Sequence, residues 1–210
     1  KYVAEYMGKG KFGVVRSLYK RSMPLSLGLG GASAMALLLF SSVFFSYFSP
    51  IGLLPQLAIL LSMDIIISTQ SGFLSSLLYG LQKFRRMTII GVLSNILRAG
   101  STIALLYLGY GVPGVIAGWI TGDLTGMALY FSSARKAVKA LTDEDDGVAM
   151  SSLFEYSIPL YGTSILGYLS TYIDRFLLLG LIGLSQLAVY SAAVTASSFL
   201  SIISYPIGYV

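Results

Sequence analysis

Between Arg21 and Lys83 the chain carries one formal charge, Asp64, and from Thr88 to Ala134 it carries two, Arg98 and Asp123. Nothing else in the sequence limits the fold so strongly. A charge-poor run of about 20 residues is the length a helix needs to cross roughly 30 Å of hydrocarbon. Such runs are too long for strands, and lipid leaves no solvent to satisfy an open backbone. Only 11% of the 210 residues are charged and 55% are apolar, where a soluble domain carries about 25% charged residues. An ordinary soluble enzyme and a disordered chain are both excluded. The chain has no cysteine and no histidine, which removes disulfides, Cys or His zinc sites, Cys nucleophiles and His bases.

Turn signals divide the apolar runs. Ser49-Pro50-Ile51-Gly52-Leu53-Leu54-Pro55 separates spans expected near 22–48 and 54–80, and Gly109 through Gly114 separates spans near 88–108 and 113–133. Two more follow near 153–180 and 186–209, parted by Gly183-Leu184-Ser185-Gln186. The expectation is a polytopic, all-helical membrane protein with six spans. Cations occupy alternate connections: Lys1 to Arg21, then Lys83, Arg85 and Arg86, then Arg135, Lys136 and Lys139. The positive-inside rule places these connections in the cytoplasm. The cations are scattered among short turns, so the net charge of +5 belongs to topology and membrane lipid, not to nucleic acid. Asp143-Glu144-Asp145-Asp146-Gly147 lies in a connection of 134–152, read as a solvated linker. The chain starts without methionine and ends in an apolar run, so it reads as a piece of a longer protein.

A charge at membrane depth costs about 2.5–3.5 kcal/mol on insertion scales and faces a bundle interior or a wet cavity. Asp64, Arg98, Asp123, Asp174 and Arg175 are such groups. Gly91, Ser94, Asn95, Ser101 and Thr102 share the helical face of Arg98. Asp64 is followed at the same spacing by Ser68, Ser71, Ser75 and Tyr79, and Arg175 is preceded by Ser157, Tyr161, Ser164, Tyr168 and Thr171. Three hydroxyl-rich stripes lead to the expectation of a hydrated cavity. Arginine suits a phosphate ligand, because its planar fork donates bidentately and stays charged. The other reading is internal pairing: Arg98 and Asp123 stand at similar depth on consecutive antiparallel spans, and Asp174 adjoins Arg175.

Gly114, Gly118, Gly122 and Gly126 recur every four residues, the small-residue spacing of close helix contact. Pro24 and Pro159 read as first-turn prolines that open spans. No phosphate-binding loop, metal motif or nucleophile elbow is present, so no cofactor is expected.

Several segments resemble the polysaccharide flippases of the multidrug/oligosaccharidyl-lipid/polysaccharide exporter superfamily. Lys1 through Gly10, ahead of a basic segment and a span, is similar to the loop after that family's second helix. Gly80-Leu81-Gln82-Lys83-Phe84-Arg85-Arg86 is similar to the turn after its fourth helix. Tyr156 through Leu160, Tyr172-Ile173-Asp174-Arg175 and Gly183 through Tyr190 resemble the start of its second lobe. The resemblance implies a two-lobed V of 12–14 helices, of which this chain supplies the equivalents of helices three to eight. Residues 1–133 would be most of the first lobe, 134–152 the interlobe linker and 153–210 the start of the second lobe.

The resemblance further implies a non-enzymatic, multi-pass transporter of the plasma membrane. It would flip a polyprenyl-diphosphate-linked oligosaccharide by alternating access. Its partners would be that anionic lipid-linked glycan, membrane lipids and a coupling cation, H+ or Na+. By position, Arg98, Arg175, Asn95 and Tyr168 are the substrate-binding candidates, and Asp64, Asp123 and Asp174 the ion-coupling or charge-pairing candidates. A cation-coupled multidrug exporter of the same superfamily would place its weight on Asp64 and Asp123. A membrane-embedded glycosyltransferase or polymerase would need an outer loop with paired carboxylates, and the outer turns here are short.

Overall fold

The computed structural model describes residues 2–48, 54–141 and 150–204. Every element among them is an α-helix: α1 (Tyr2–Gly8), α2 (Phe12–Phe48), α3 (Leu54–Gly80), α4 (Phe84–Tyr107), α5 (Gly111–Lys139), α6 (Met150–Ile182) and α7 (Leu184–Ser204). The chain folds as two units, 1–148 and 149–210. The turn at 49–53, the acidic run 143–147 and the end of the sixth expected span, 205–209, lie outside the described residues.

Three helical stretches are long and apolar enough to cross a membrane: Phe12–Ser41, Pro55–Gly80 and Phe84–Tyr107. Large apolar side chains such as Leu27, Leu39, Phe40, Ile96 and Ile103 point outward on them, the arrangement a helix adopts when its solvent is hydrocarbon. The chain is a helical membrane protein. Of the six expected spans, three reach that length and apolarity among the described residues.

In the first unit, α2 packs on α3, α3 on α5 and α5 on α4, while α3 and α4 barely touch. The chain neighbours α3 and α4 are thus held apart by α5. Two polar contacts tie α2 to α3: Ser26 and Gln70 exchange hydrogen bonds of 3.0–3.2 Å, and the Ser62 hydroxyl donates to the Ala34 carbonyl at 3.3 Å. In a membrane, small residues and such interhelical bonds replace the hydrophobic drive that lipid cannot supply.

The best-buried cluster joins Val15 of α2, Leu74, Leu77 and Leu78 of α3, Leu81 just after it, Ile90 of α4, and Tyr130, Ala134 and Val138 of α5. Short α1 covers it with Val3, Tyr6 and Met7. This cluster corrects two boundaries. Residues 12–21 are not a basic tail but the first turns of α2, because Val14, Val15, Ser17 and Leu18 are buried while Arg16, Lys20 and Arg21 stay exposed. Residues 134–139 are not linker, because Ala134 and Val138 carry the buried stripe of α5 onward.

The prolines also differ from expectation. Pro24 and Pro159 both lie inside helices rather than in first turns. Each lacks the N–H that would reach the carbonyl four residues back. Near the first, the Ser26 hydroxyl donates to the Met23 carbonyl at 3.1 Å. In the second unit one residue joins α6 to α7, Gly183, at φ +86°. That left-handed value favours glycine and turns the chain sharply.

Candidate functional site

The glycines of α5 decide what the polar face of α4 does. A Cβ on Gly118 would lie 2.4 Å from Thr102 Oγ1, one on Gly122 2.4 Å from Arg98 Cβ, and one on Gly126 2.8 Å from Ser94 Oγ. The Ser101 hydroxyl donates across the contact to the Gly118 carbonyl at 3.0 Å. The face of α4 expected to line a hydrated cavity therefore docks on the glycine stripe at Ser94, Arg98, Ser101 and Thr102. Asn95 stands apart from that contact. It is exposed, and its amide donates to the Gly91 carbonyl of its own helix at 3.0 Å. The other stripes bond back in the same way: Ser68 and Ser75 on α3, and Ser164 and Thr171 on α6, donate to carbonyls three or four residues earlier.

Past this contact, Arg98 Nη1 lies 3.6 Å from Asp123 Oδ1. The guanidinium also sits 4.9 Å from the ring centroid of Trp119, within cation–π range. Asp64, from α3, interacts electrostatically with both Asp123 and Arg98. Three helices thus bring two carboxyls to one guanidinium. Oδ1 of Asp64 is buried with no hydrogen-bond partner among the described residues. A buried carboxylate oxygen without a donor is costly.

The second unit arranges the same residue types differently. Asp174 does not turn to its neighbour's guanidinium. Its Oδ1 accepts the Arg175 backbone N–H at 2.8 Å, and its Oδ2 accepts the Tyr190 hydroxyl of α7. Arg175 instead lies 4.9 Å from the ring centroid of Tyr172, which stacks on Tyr168 at 5.1 Å. Arg175 Nε is buried with no hydrogen-bond partner among the described residues. Tyr168, Tyr172 and Arg175, with Leu169, Phe176 and Leu179 of α6 and Leu187 of α7, line an open groove of about 400 Å³. That volume lies within the roughly 300–1,000 Å³ of small-ligand sites, which are mostly apolar with a few placed polar groups.

Asp64, Arg98 and Asp123 thus meet in the first unit, while in the second Tyr168 and Arg175 line one groove and Asp174 is bonded to Tyr190. No site role was expected for Trp119, Tyr172 or Tyr190, although the last two stand in the segments that carry the family resemblance. Helical spacing holds the signal for two of them, since Trp119 precedes Asp123 by four residues and Tyr172 precedes Arg175 by three. Tyr190 comes from the neighbouring helix and left no local signal.

A bundle of apolar helices that holds partly buried charged side chains within its length defines an integral membrane protein. A family model described as polysaccharide biosynthesis protein matches residues 15–210, and the chain belongs to that family. Its role lies in polysaccharide biosynthesis. No curated relative and no solved structure matches the chain.

Proposed function

We propose that the protein moves a polyprenyl-diphosphate-linked oligosaccharide across the plasma membrane, as a non-enzymatic flippase working by alternating access. In this reading α2 to α7 are six spans within a larger two-lobed transporter of 12–14 helices, and the residues between α5 and α6 link its lobes. The observation that carries the reading is Arg175, whose Nε has no hydrogen-bond partner among the described residues and whose side chain lines an aromatic groove. An anionic phosphate with an adjoining sugar fits both features: the fork takes the anion, and the Tyr168–Tyr172 pair offers a flat face to the ring. Arg98, bound to Asp123 and Trp119, serves in this reading as a held charge that an anion meets only when the pair opens, with Asn95 exposed beside it. Asp64 and Asp123 are the seat of the coupling cation, H+ or Na+, because Asp64 Oδ1 has no donor of its own.

The test separates transport from synthesis. In a cell lacking the protein, a flippase leaves finished lipid-linked oligosaccharide accumulating on the cytoplasmic leaflet, where an added impermeant glycosidase cannot reach it in intact cells. Restoring the wild-type protein exposes the glycan at the surface, and Arg175→Ala does not. If deletion instead leaves the oligosaccharide unfinished, the protein is an enzyme of its assembly and the reading is wrong.

A further inference from the structure

Each unit carries an arginine and an aspartate near one another; in the first they form a close ion pair, and in the second the carboxylate acts on the guanidinium only from longer range. Arg98 Nη1 meets Asp123 Oδ1 at 3.6 Å. In the second unit Asp174 and Arg175 are adjacent in the chain, and a low-dielectric setting draws such a pair together. Each oxygen of Asp174 instead accepts another hydrogen bond, Oδ1 from the Arg175 backbone N–H and Oδ2 from the Tyr190 hydroxyl, and the latter turns the carboxylate away. The bond from Tyr190 crosses from α7 to α6, so it points the carboxylate toward α7. The guanidinium is left over the Tyr172 ring with Nε unpartnered. Helix α7 brings no Asp, Glu, Lys or Arg of its own to the contact.

We propose that Tyr190 is a positioning residue for anion binding: by holding Asp174 it keeps the Arg175 guanidinium free for the phosphate groups of a diphosphate-bearing lipid. This rests on the reading of Arg175 as the anion-binding group given above. Without the Tyr190 hydroxyl, Asp174 Oδ2 loses the one side-chain donor it has among the described residues and is free to turn to the guanidinium. The arginine would then be neutralised from within, as Arg98 is. Tyr190 touches no substrate in this scheme and acts only through Asp174.

The test is a cycle of variants in the full chain purified in detergent. Its readout is calorimetric binding of two probes, farnesyl diphosphate and inorganic diphosphate. Arg175→Ala examines the underlying reading alone. It is expected to weaken both probes about tenfold or more, the scale of a lost charge-assisted hydrogen bond, and unchanged binding would remove Arg175 as the anion site. With that loss established, Tyr190→Phe is expected to weaken both probes about five- to tenfold. Asp174→Asn is expected to bind as well as wild type or better, and Tyr190→Phe/Asp174→Asn to return to the wild-type value. Rescue by removing a negative charge is the outcome a merely structural tyrosine would not produce. Wild-type binding by Tyr190→Phe overturns the proposal, as does a loss confined to farnesyl diphosphate, which would place the effect on the lipid chain. Should Tyr190→Phe fail to fold, Asp174→Asn decides alone: binding weakened to the level of Arg175→Ala refutes the proposal, and binding kept or tightened supports it.

Discussion

Gly122→Ala adds one methyl group to the first unit, at a site with no room for it. Its Cβ would stand 2.4 Å from Arg98 Cβ, 2.8 Å from the Ser94 carbonyl oxygen and 2.9 Å from Arg98 Cα. Two of these three atoms are backbone, so no rotamer change relieves the clash. Ordinary van der Waals contact begins near 3.4 Å, so α4 must withdraw from α5 by about 1 Å, and overpacking of this kind costs about 1–3 kcal/mol. The retreat also stretches the Ser101–Gly118 hydrogen bond of 3.0 Å and the Arg98–Asp123 contact of 3.6 Å. In a chain of this size each kcal/mol moves Tm by roughly 2–4 °C, so Gly122→Ala is expected to lower Tm in detergent by several degrees. Gly100→Ala is the control on α4. Nothing lies within 4 Å of a Cβ there, and replacing a mid-helix glycine by alanine stabilises by about 0.5–1 kcal/mol. Thermal unfolding of the two variants, followed by tryptophan fluorescence or a thiol-free dye, reads the difference. A Tm for Gly122→Ala equal to or above wild type would refute the claim that this glycine sets the helix separation.

Further outcomes follow from the same contacts. Arg98→Ala and Asp123→Ala are each expected to destabilise, and the double variant by less than their sum; a coupling energy of about 0.5–1 kcal/mol in a double-mutant cycle is the check, and strict additivity would mean the pair is not formed. Gln70→Leu is expected to lower stability, because the Ser26 hydroxyl loses its long-range partner at 3.2 Å, by about 0.6 kcal/mol as for average interhelical bonds in membranes; Ser26→Ala/Gln70→Leu should recover most of it, and a double variant worse than both singles would contradict the pairing. Single cysteines at Gln82 and Tyr110, both exposed at helix ends, test orientation: an impermeant maleimide on intact cells should label Tyr110→Cys and spare Gln82→Cys, and the reverse pattern would invert the topology.

The membrane helices were legible in the sequence because their cause is local. A run such as 22–48 or 54–80 with one charge or none has no soluble fold open to it, and lipid forces its backbone into helix. The Gly114–Gly126 stripe was legible for the same reason, since a four-residue period places all four glycines on one face. Helix ends were less so. The basic residues of 12–21 and the sequence after Ala134 look like connections, yet both continue as helix because Val15, Ala134 and Val138 find a buried cluster made by three other helices. What a polar stripe faces was not legible at all. Ser94, Arg98, Ser101 and Thr102 read as one wall of a wet cavity, and they pack on glycines, because the room those glycines leave is a property of α5. The two Arg–Asp sets show the limit most sharply. Both were open to pairing by spacing. The docking of α4 on α5 closed one at 3.6 Å, and a tyrosine from α7 held the other apart, because which partner a charge meets depends on the helix beside it and not on its own.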